Sequence, residues 1–261
     1  MNRAAAAAAP AAATPSVAAR IAAIDWSQVA SDLDAEGHAL IPGLINAFEC
    51  QSLAALYATG DAQKPPLFRS RVVMARHGFG RGEYKYFSYP LPDLIARLRV
   101  ALYQRLVPLA NRWHAAMGLE VRFPAEHDAF IARCHQGGQR RPTPLLLRYG
   151  EGDYNCLHQD LYGEHVFPLQ AILLLSRPGH DFEGGELVLT EQRPRMQSRP
   201  MVLPMRQGDL ALIAVHHRPV RGVRGFYRVQ LRHGVSRIRA GNRHTAGIIF
   251  HDATGSDAGQ R

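Results

Sequence analysis

The spacing of apolar residues changes from a helical to a strand-like pattern near residue 143. Before that point, apolar positions recur every three or four residues in 26–60 and 91–135, which predicts amphipathic helices. Asn46 followed by Glu49 indicates a capping box at the start of one helix. Pro108 predicts a kink or a break in another, because proline lacks a backbone N–H.

Beyond residue 143, short runs rich in Val, Ile, Leu and aromatic residues are separated by Gly or Pro, and such runs predict strands. The runs are 145–149, 166–175, 186–189, 201–203, 210–215, 227–231 and 245–250. Many short strands in succession favour a sandwich or barrel. We therefore predict an α+β fold, mainly β, with a double-stranded β-helix (jelly-roll) core and N-terminal supporting helices.

The same patterns predict how the chain is divided. The divisions are a disordered Ala-rich tail (1–20), a mainly helical N-terminal part packing on the core (21–142), the jelly-roll core (143–252) and a flexible C-terminal tail (253–261). Within the second part, Gly78, Gly80 and Gly82 lie beside several aromatic residues. This loop is interpreted either as a hairpin turn or as a mobile substrate loop.

Charge and cysteine content narrow the class of protein. The net charge is +9, and residues 191–243 hold twelve arginines against two acidic residues. Such a stretch either attracts anions, nucleic acid included, or is an ordinary solvated surface. The three cysteines fit neither a zinc-site nor a disulfide spacing, which predicts reduced thiols in a cytoplasmic protein. No apolar run is long enough for a membrane span, so no membrane partner is expected.

The candidate chemistry lies in two segments. His158 and Asp160 are two residues apart, and on an extended strand such residues face the same side. His233 follows in the predicted β region. Two imidazoles and one carboxylate on a β scaffold form the facial triad of non-haem Fe(II) oxygenases, which leaves three metal positions open. We therefore treat His158, Asp160 and His233 as candidate catalytic metal ligands.

Three further residues suit an anionic co-substrate. Arg243 can bind a carboxylate through two parallel hydrogen bonds. Thr245 is two residues further on, so its hydroxyl would face the same way. Tyr149, nine residues before His158, could donate its phenol to the same carboxylate.

Together these motifs resemble the Fe(II)/2-oxoglutarate-dependent dioxygenase superfamily, and in particular a prolyl-hydroxylase-like bacterial branch. The matching residues are His158-x-Asp160, Gly184-Gly185-Glu186-Leu187, Gly208-Asp209 and His233-x-Val235-x₅-Gly241-x-Arg243-x-Thr245. The resemblance implies Fe(II) on His158, Asp160 and His233, with 2-oxoglutarate on Arg243 and O₂ as the second co-substrate. It also implies hydroxylation of a protein side chain or another organic substrate, with release of succinate and CO₂.

Alternatives remain open at this point. His216 or His217 could be the distal ligand, with Arg228 as the anchor, although no Gly-x-Arg-x-Thr run follows them. The arginine-rich stretch suits an alkylated nucleic acid that is oxidatively demethylated, so nucleic acid is a second class of substrate. A non-catalytic cupin-like module that binds metal or an anionic ligand is the third interpretation, although such a module does not need Arg243 and Thr245.

Overall fold

Helices dominate the first half of the chain, as the apolar spacing predicts. The computed structural model describes residues 15–255. Its α-helices are α1 (Val17–Ala22), α2 (Trp26–Glu36), α3 (Ala47–Thr59), α4 (Asp93–Ala116) and α5 (His127–Gln136). The predicted capping box of α3 is confirmed: Asn46 accepts the backbone N–H of Glu49 at 2.9 Å, and the Glu49 carboxylate accepts that of Asn46 at 2.9 Å.

One prediction about the helical part is wrong, and of the kink or break predicted at Pro108 the break does not occur. The predicted disordered tail (1–20) overlaps helix α1, which packs on the rest of the fold, because Val17 and Ile21 are buried and Arg20 binds Glu49 at 2.6 Å. Residues 1–14 lie outside the described residues. Helix α4 continues without a break through Pro108, since the apolar face on both sides of the proline is buried.

The fifteen strands of the described chain are short. They are β1 (His38–Ile41), β2 (Phe68–Val73), β3 (Gly80–Arg81), β4 (Glu83–Phe87), β5 (Leu145–Tyr149), β6 (Tyr154–His158), β7 (Leu169–Leu174), β8 (Phe182–Gly184), β9 (Leu187–Gln192), β10 (Arg199–Leu203), β11 (Leu210–Ala214), β12 (His217–Gly222), β13 (Gly225–Val235), β14 (Ile238–Gly241) and β15 (Arg243–Ile249). Each predicted run overlaps one of them, and β5 matches its run at both ends.

Two antiparallel sheets carry the site. The seven-stranded sheet has the order β1-β11-β7-β15-β5-β4-β2. The six-stranded sheet has the order β10-β9-β13-β6-β3, and β12 pairs with the N-terminal half of β13. A two-stranded sheet joins β14 to β8. The prediction of a mainly β, α+β protein is therefore confirmed.

The N-terminal part contributes strands as well as helices. Strands β1, β2 and β4 extend the seven-stranded sheet and β3 extends the six-stranded one, so residue 143 is not a boundary within either sheet. An edge strand has unpaired backbone N–H and C=O groups, and the N-terminal strands form hydrogen bonds with these groups. At the other end, Ala253 is buried and forms a bridge with Arg141, so it belongs to the fold and not to a flexible tail. Residues 256–261 are outside the described range.

One hydrophobic core joins the helices to both sheets. It includes Trp113 of α4, Leu173 of the seven-stranded sheet and Leu231 of the six-stranded sheet, each completely buried. The three cysteines are free thiols, as predicted. No helix among residues 15–255 is long and apolar enough to cross a membrane.

Candidate metal centre and anion cavity

His158 and His233 are brought together by strand pairing. His158 is the last residue of β6, and it lies directly opposite His233 of β13 in the antiparallel register. The two ring centroids are 4.2 Å apart. Cross-strand partners share a face of the sheet, so both imidazoles project toward the same point.

Asp160 completes a three-residue cluster. Its Oδ1 lies 3.6 Å from His158 Nε2, and its Oδ2 lies 3.4 Å from His233 Nε2. One ligand atom from each residue lies within 4.8 Å of the others. Strand β6 ends at His158, so Asp160 reaches this point from the segment after the strand and not from the strand itself.

The charge states of the cluster suit a divalent cation. Burial alone would raise the pKa of Asp160, but the nearby His158 and His233 and the Tyr162 hydroxyl more than offset burial and lower that pKa. Burial and the neighbouring His233 lower the pKa of His158. An ionised carboxylate and a neutral imidazole are the forms that bind metal. Two imidazoles and one carboxylate, without thiolate, fit Fe(II).

Hydrogen bonds orient two of the candidate ligands. His158 Nδ1–H donates to the Cys156 carbonyl at 2.8 Å, which leaves the Nε2 lone pair directed at Asp160. The Tyr162 hydroxyl donates to Asp160 Oδ1 at 2.7 Å, and Tyr86 donates to the Tyr162 oxygen at 3.0 Å. Such partners fix the tautomer and the orientation of metal-binding groups.

A buried amide lies beside the cluster. Gln170 Nε2 is 3.0 Å from His233 Nε2, whereas Gln170 Oε1 is buried and has no hydrogen-bond partner in residues 15–255. An unpaired buried carbonyl oxygen costs free energy. The Gln170 amide is therefore placed to bond with a ligand that enters the cavity.

Arg243 lies in the same cavity as the cluster and is a buried cation. On β15 it pairs opposite Tyr149 of β5, and its side chain is 2% exposed. Its Nε and Nη1 have no hydrogen-bond partner among the described residues. Burial lowers its pKa to about 10, so the guanidinium stays charged at neutral pH. Burying a cation with two nitrogens that lack hydrogen-bond partners is costly, and an anion in the cavity would remove that cost.

The other two predicted anion-site residues lie beside Arg243. Thr245 is buried two residues further along β15 and lines the same cavity. Tyr149 is completely buried, with its ring centroid 5.6 Å from the Arg243 guanidinium carbon. The Tyr149 hydroxyl accepts a hydrogen bond from Asn155 Nδ2 at 3.3 Å.

The cavity that joins these groups has a volume of about 620 Å³. Aromatic rings, with Arg69, form much of its remaining wall. The ring-bearing residues are His77, Phe79, Tyr84, Tyr86 and Tyr162. The His77 and Phe79 rings are stacked with centroids 5.3 Å apart. The glycine-rich loop is thus part of the hairpin between β2 and β4, and its residues 77–79 also line the cavity.

The rival histidines lie elsewhere. His216 and His217 are adjacent, with ring centroids 3.5 Å apart, at the start of β12. Neither belongs to the His158–Asp160–His233 cluster, which is the one group of potential metal ligands found in residues 15–255.

Sequence reasoning missed three residues of the site: Tyr86, Tyr162 and Gln170. Tyr162 lies two residues after the candidate ligand Asp160, and this closeness in the sequence was a usable signal.

Comparison with known proteins places the chain in a family. The model of the Oxygenase-NA family, described as an oxygenase catalysing oxidative methylation of damaged DNA, matches residues 82–253. An uncharacterised protein of Mycobacterium tuberculosis is 49% identical over 167 residues, which are 64% of this chain and 72% of that protein.

Solved structures share the fold. A prolyl-4-hydroxylase of Pseudomonas putida has a TM-score of 0.51 and 15% identity, over 88% of this chain and 100% of that one. An oxidoreductase of the 2OG-Fe(II) oxygenase family from Burkholderia pseudomallei has a TM-score of 0.51 and 16% identity, over 89% and 95% of the two chains. At such identities the likeness concerns the fold.

The family match covers most of the chain and includes the His-Asp-His cluster. Membership implies Fe(II) as the metal, with 2-oxoglutarate and O₂ as co-substrates. The chain belongs to the Oxygenase-NA family, within the superfamily of Fe(II)- and 2-oxoglutarate-dependent oxygenases, and is an oxidoreductase.

Proposed function

We propose that His158, Asp160 and His233 hold Fe(II), and that Arg243 binds the far carboxylate of 2-oxoglutarate. The observation that carries this proposal is the buried Arg243, which lacks partners for two nitrogens and lies in the same cavity as the cluster. In this proposal the two sheets form a double-stranded β-helix that encloses the cavity. Thr245 and Tyr149 border the guanidinium and supply hydroxyl groups near the same carboxylate.

Each part of the cavity has a separate task. Arg243 fixes one end of the dicarboxylate through charge and paired hydrogen bonds. Tyr162 holds Asp160, and the Cys156 carbonyl holds His158, so the candidate ligands keep one orientation. Leu187 and Val235 line the cavity with the apolar parts of the tyrosines, and such a lining keeps bulk water away. When bound, Fe(II) and 2-oxoglutarate supply the oxidation of a C–H bond by O₂, with release of succinate and CO₂.

The substrate that the cavity supports best is an alkylated base of a nucleic acid. Enzymes that act on a base take it out of the stack and hold it against aromatic and apolar side chains. The stacked His77 and Phe79, together with Tyr84 and Tyr86, offer such surfaces. Hydroxylation of a carbon attached to a ring nitrogen gives a hemiaminal, which loses the aldehyde and restores the base. The description of the family, which concerns damaged DNA, supports the same class.

A protein side chain is the second candidate substrate. The run Gly184-Gly185-Glu186-Leu187, which resembles a motif of prolyl-hydroxylase-like enzymes, favours it. Here the run joins β8 to β9, and Leu187 lines the cavity. The two candidates differ in the polymer that must reach the cavity, and an experiment can separate them.

The first experiment is anaerobic absorption spectroscopy of the full chain with Fe(II), then with 2-oxoglutarate. We expect a visible charge-transfer band that is absent in His158→Ala and needs far more 2-oxoglutarate in Arg243→Met. His180→Ala, an exposed histidine outside the cavity, is the matched control and should keep the band. A normal band in the His158 variant would contradict the ligand assignment.

The second experiment measures succinate formed with each substrate class. One sample contains an oligonucleotide with N-methylated bases, and the other a proline-rich peptide. Succinate and formaldehyde in equal amounts with the oligonucleotide support base demethylation. Succinate with the peptide alone, without formaldehyde, assigns the enzyme to protein side chains.

A further inference from the structure

The outer face of β12 and β13 differs from the face that packs on the core. Along β13, Val229, Leu231 and His233 are buried, whereas Arg228 and Arg232 are exposed and Gln230 is half-buried. Cross-strand register places three β12 residues on this outer side, which we call the basic face. It consists of His217, Arg221, Phe226, Arg228, Gln230 and Arg232, and Pro219 on the same side is buried.

The charge of the basic face has no acidic counterpart. No Asp or Glu occurs between residues 210 and 251. None of Arg221, Arg228 and Arg232 has an ion pair within residues 15–255, and neither has Arg224 in the turn. By contrast, the inward-facing Arg218 is buried and pairs with Glu191. The neighbouring strand β9 adds only Thr190 and Gln192 opposite Arg232 and Gln230.

The basic face begins at the mouth of the cavity. Arg232 lines the cavity and precedes the candidate ligand His233. From Arg232 the face runs along β13 to Phe226, a distance of roughly 20 Å at 3.4 Å per residue. Phe226 is 52% exposed, and Val223 in the adjacent turn is fully exposed. A row of cations thus leads from the cavity to an exposed aromatic ring.

We propose that the basic face binds the backbone of a nucleic-acid strand whose target base enters the cavity. Arginine binds phosphate through paired hydrogen bonds. Exposed aromatic rings on a sheet stack on unpaired bases, and such platforms tolerate many sequences. This inference rests on the proposed nucleic-acid substrate and adds the surface that carries the polymer. The inference also assigns a function to the arginine-rich stretch 191–243, of which the metal and anion sites include only Arg243 among the arginines.

The test is binding of a fluorescent 20-nucleotide single strand to the full chain at several salt concentrations. The variant is Arg228→Gln with Arg232→Gln. Each lost phosphate contact should reduce the slope of log affinity against log salt by about 0.7, so the pair should reduce it by roughly 1.4. The affinity at low salt should fall at least about tenfold. The matched control, Arg105→Gln with Arg140→Gln, changes two exposed arginines elsewhere and should keep the wild-type slope.

Phe226→Ala gives an independent readout, because stacking carries no charge. It should lower affinity about fivefold or more with the salt slope unchanged. The anaerobic 2-oxoglutarate band should be intact in Phe226→Ala, because Phe226 lies outside the cavity. A lost band in this variant would show that the face is needed for the fold and would overturn the inference.

The possible results separate this inference from the proposed function. If the wild type oxidises the oligonucleotide and the arginine pair binds with unchanged affinity and slope, the basic face is not the binding surface and the substrate class stands. If the wild type neither binds nor oxidises nucleic acid, both are overturned. If the wild type binds polyglutamate instead, through the same arginines, the face belongs to an acidic protein and the inference is wrong.

Discussion

His158 and His233 are direct cross-strand partners, with ring centroids 4.2 Å apart, although 74 residues separate them in the chain. The pairing of β6 with β13 therefore sets the distance between two candidate ligands through backbone register.

The first prediction separates the two possible distal ligands. His233→Ala should lower Fe(II) affinity by more than the roughly 10–100-fold that loss of an outer hydrogen-bond partner costs. His217→Ala should leave it unchanged, because His217 lies on the basic face and outside the cluster. Anaerobic equilibrium dialysis measures both. Equal losses of Fe(II) affinity in the two variants would contradict the assignment of His233, and not His217, as the distal ligand.

The second prediction concerns the buried cation. Arg243→Met should abolish tight 2-oxoglutarate binding, yet raise the thermal stability of the ligand-free protein. Replacing a buried cation that has no hydrogen-bond partner for two of its nitrogens by an apolar side chain of similar length removes a desolvation penalty. Thermal unfolding with and without 2-oxoglutarate measures both effects. A variant that is destabilised and still shifts with 2-oxoglutarate would show that Arg243 already has a partner.

The third prediction concerns the tyrosine pair behind Asp160. Tyr162→Phe removes the 2.7 Å hydrogen bond to Asp160 Oδ1 and should lower Fe(II) affinity roughly 10–100-fold. Tyr86→Phe removes only the bond to the Tyr162 oxygen, so it should have a much smaller effect. Titration with Fe(II) under anaerobic conditions compares the two variants. Equal affinity in Tyr162→Phe and wild type would show that Asp160 needs no such support.

The fourth prediction is a loss of stability in mild acid. Burial and the nearby Arg99 lower the pKa of His127 from 6.5 to about 4. The unfolded chain takes up the proton below pH 6.5 and the folded chain only near pH 4, so stability falls as pH falls through this window. The loss from this group is at most about 3 kcal/mol.

His127→Gln tests that prediction, because Gln keeps a donor for the Phe250 carbonyl, which His127 Nε2 contacts at 2.8 Å. Urea unfolding at several pH values should show a shallower loss of stability in this variant. His180→Gln, at an exposed position, is the control and should follow the wild type. The same pH profile in His127→Gln and wild type would assign the acid sensitivity to other groups.

Part of the site could be predicted from the sequence, because it depends on residue types and on their spacing over a few positions. Residue types and spacing predicted the candidate ligands His158, Asp160 and His233, and Arg243 with Thr245 on one strand. The Arg243–Thr245 motif works because residues two apart on a strand share a face, and the ligand set is recognisable because Fe(II) accepts few donor sets. The same argument does not hold for Asp160, because β6 ends at His158. The strand β5 and the Asn46–Glu49 cap were predicted with their boundaries, because both depend on neighbours in the chain.

The contacts that the sequence could not show are those between distant segments. Gln170 beside His233 and Tyr86 behind Tyr162 depend on which strands pair and in what register. The helix at 17–22 was mistaken for part of a tail because its stabilising contacts, such as Arg20 with Glu49, lie 29 residues away. The sequence by itself determined the kind of chemistry, through residue types and local periodicity. Only the tertiary structure decided where the groups meet, because strand register sets every distance between them.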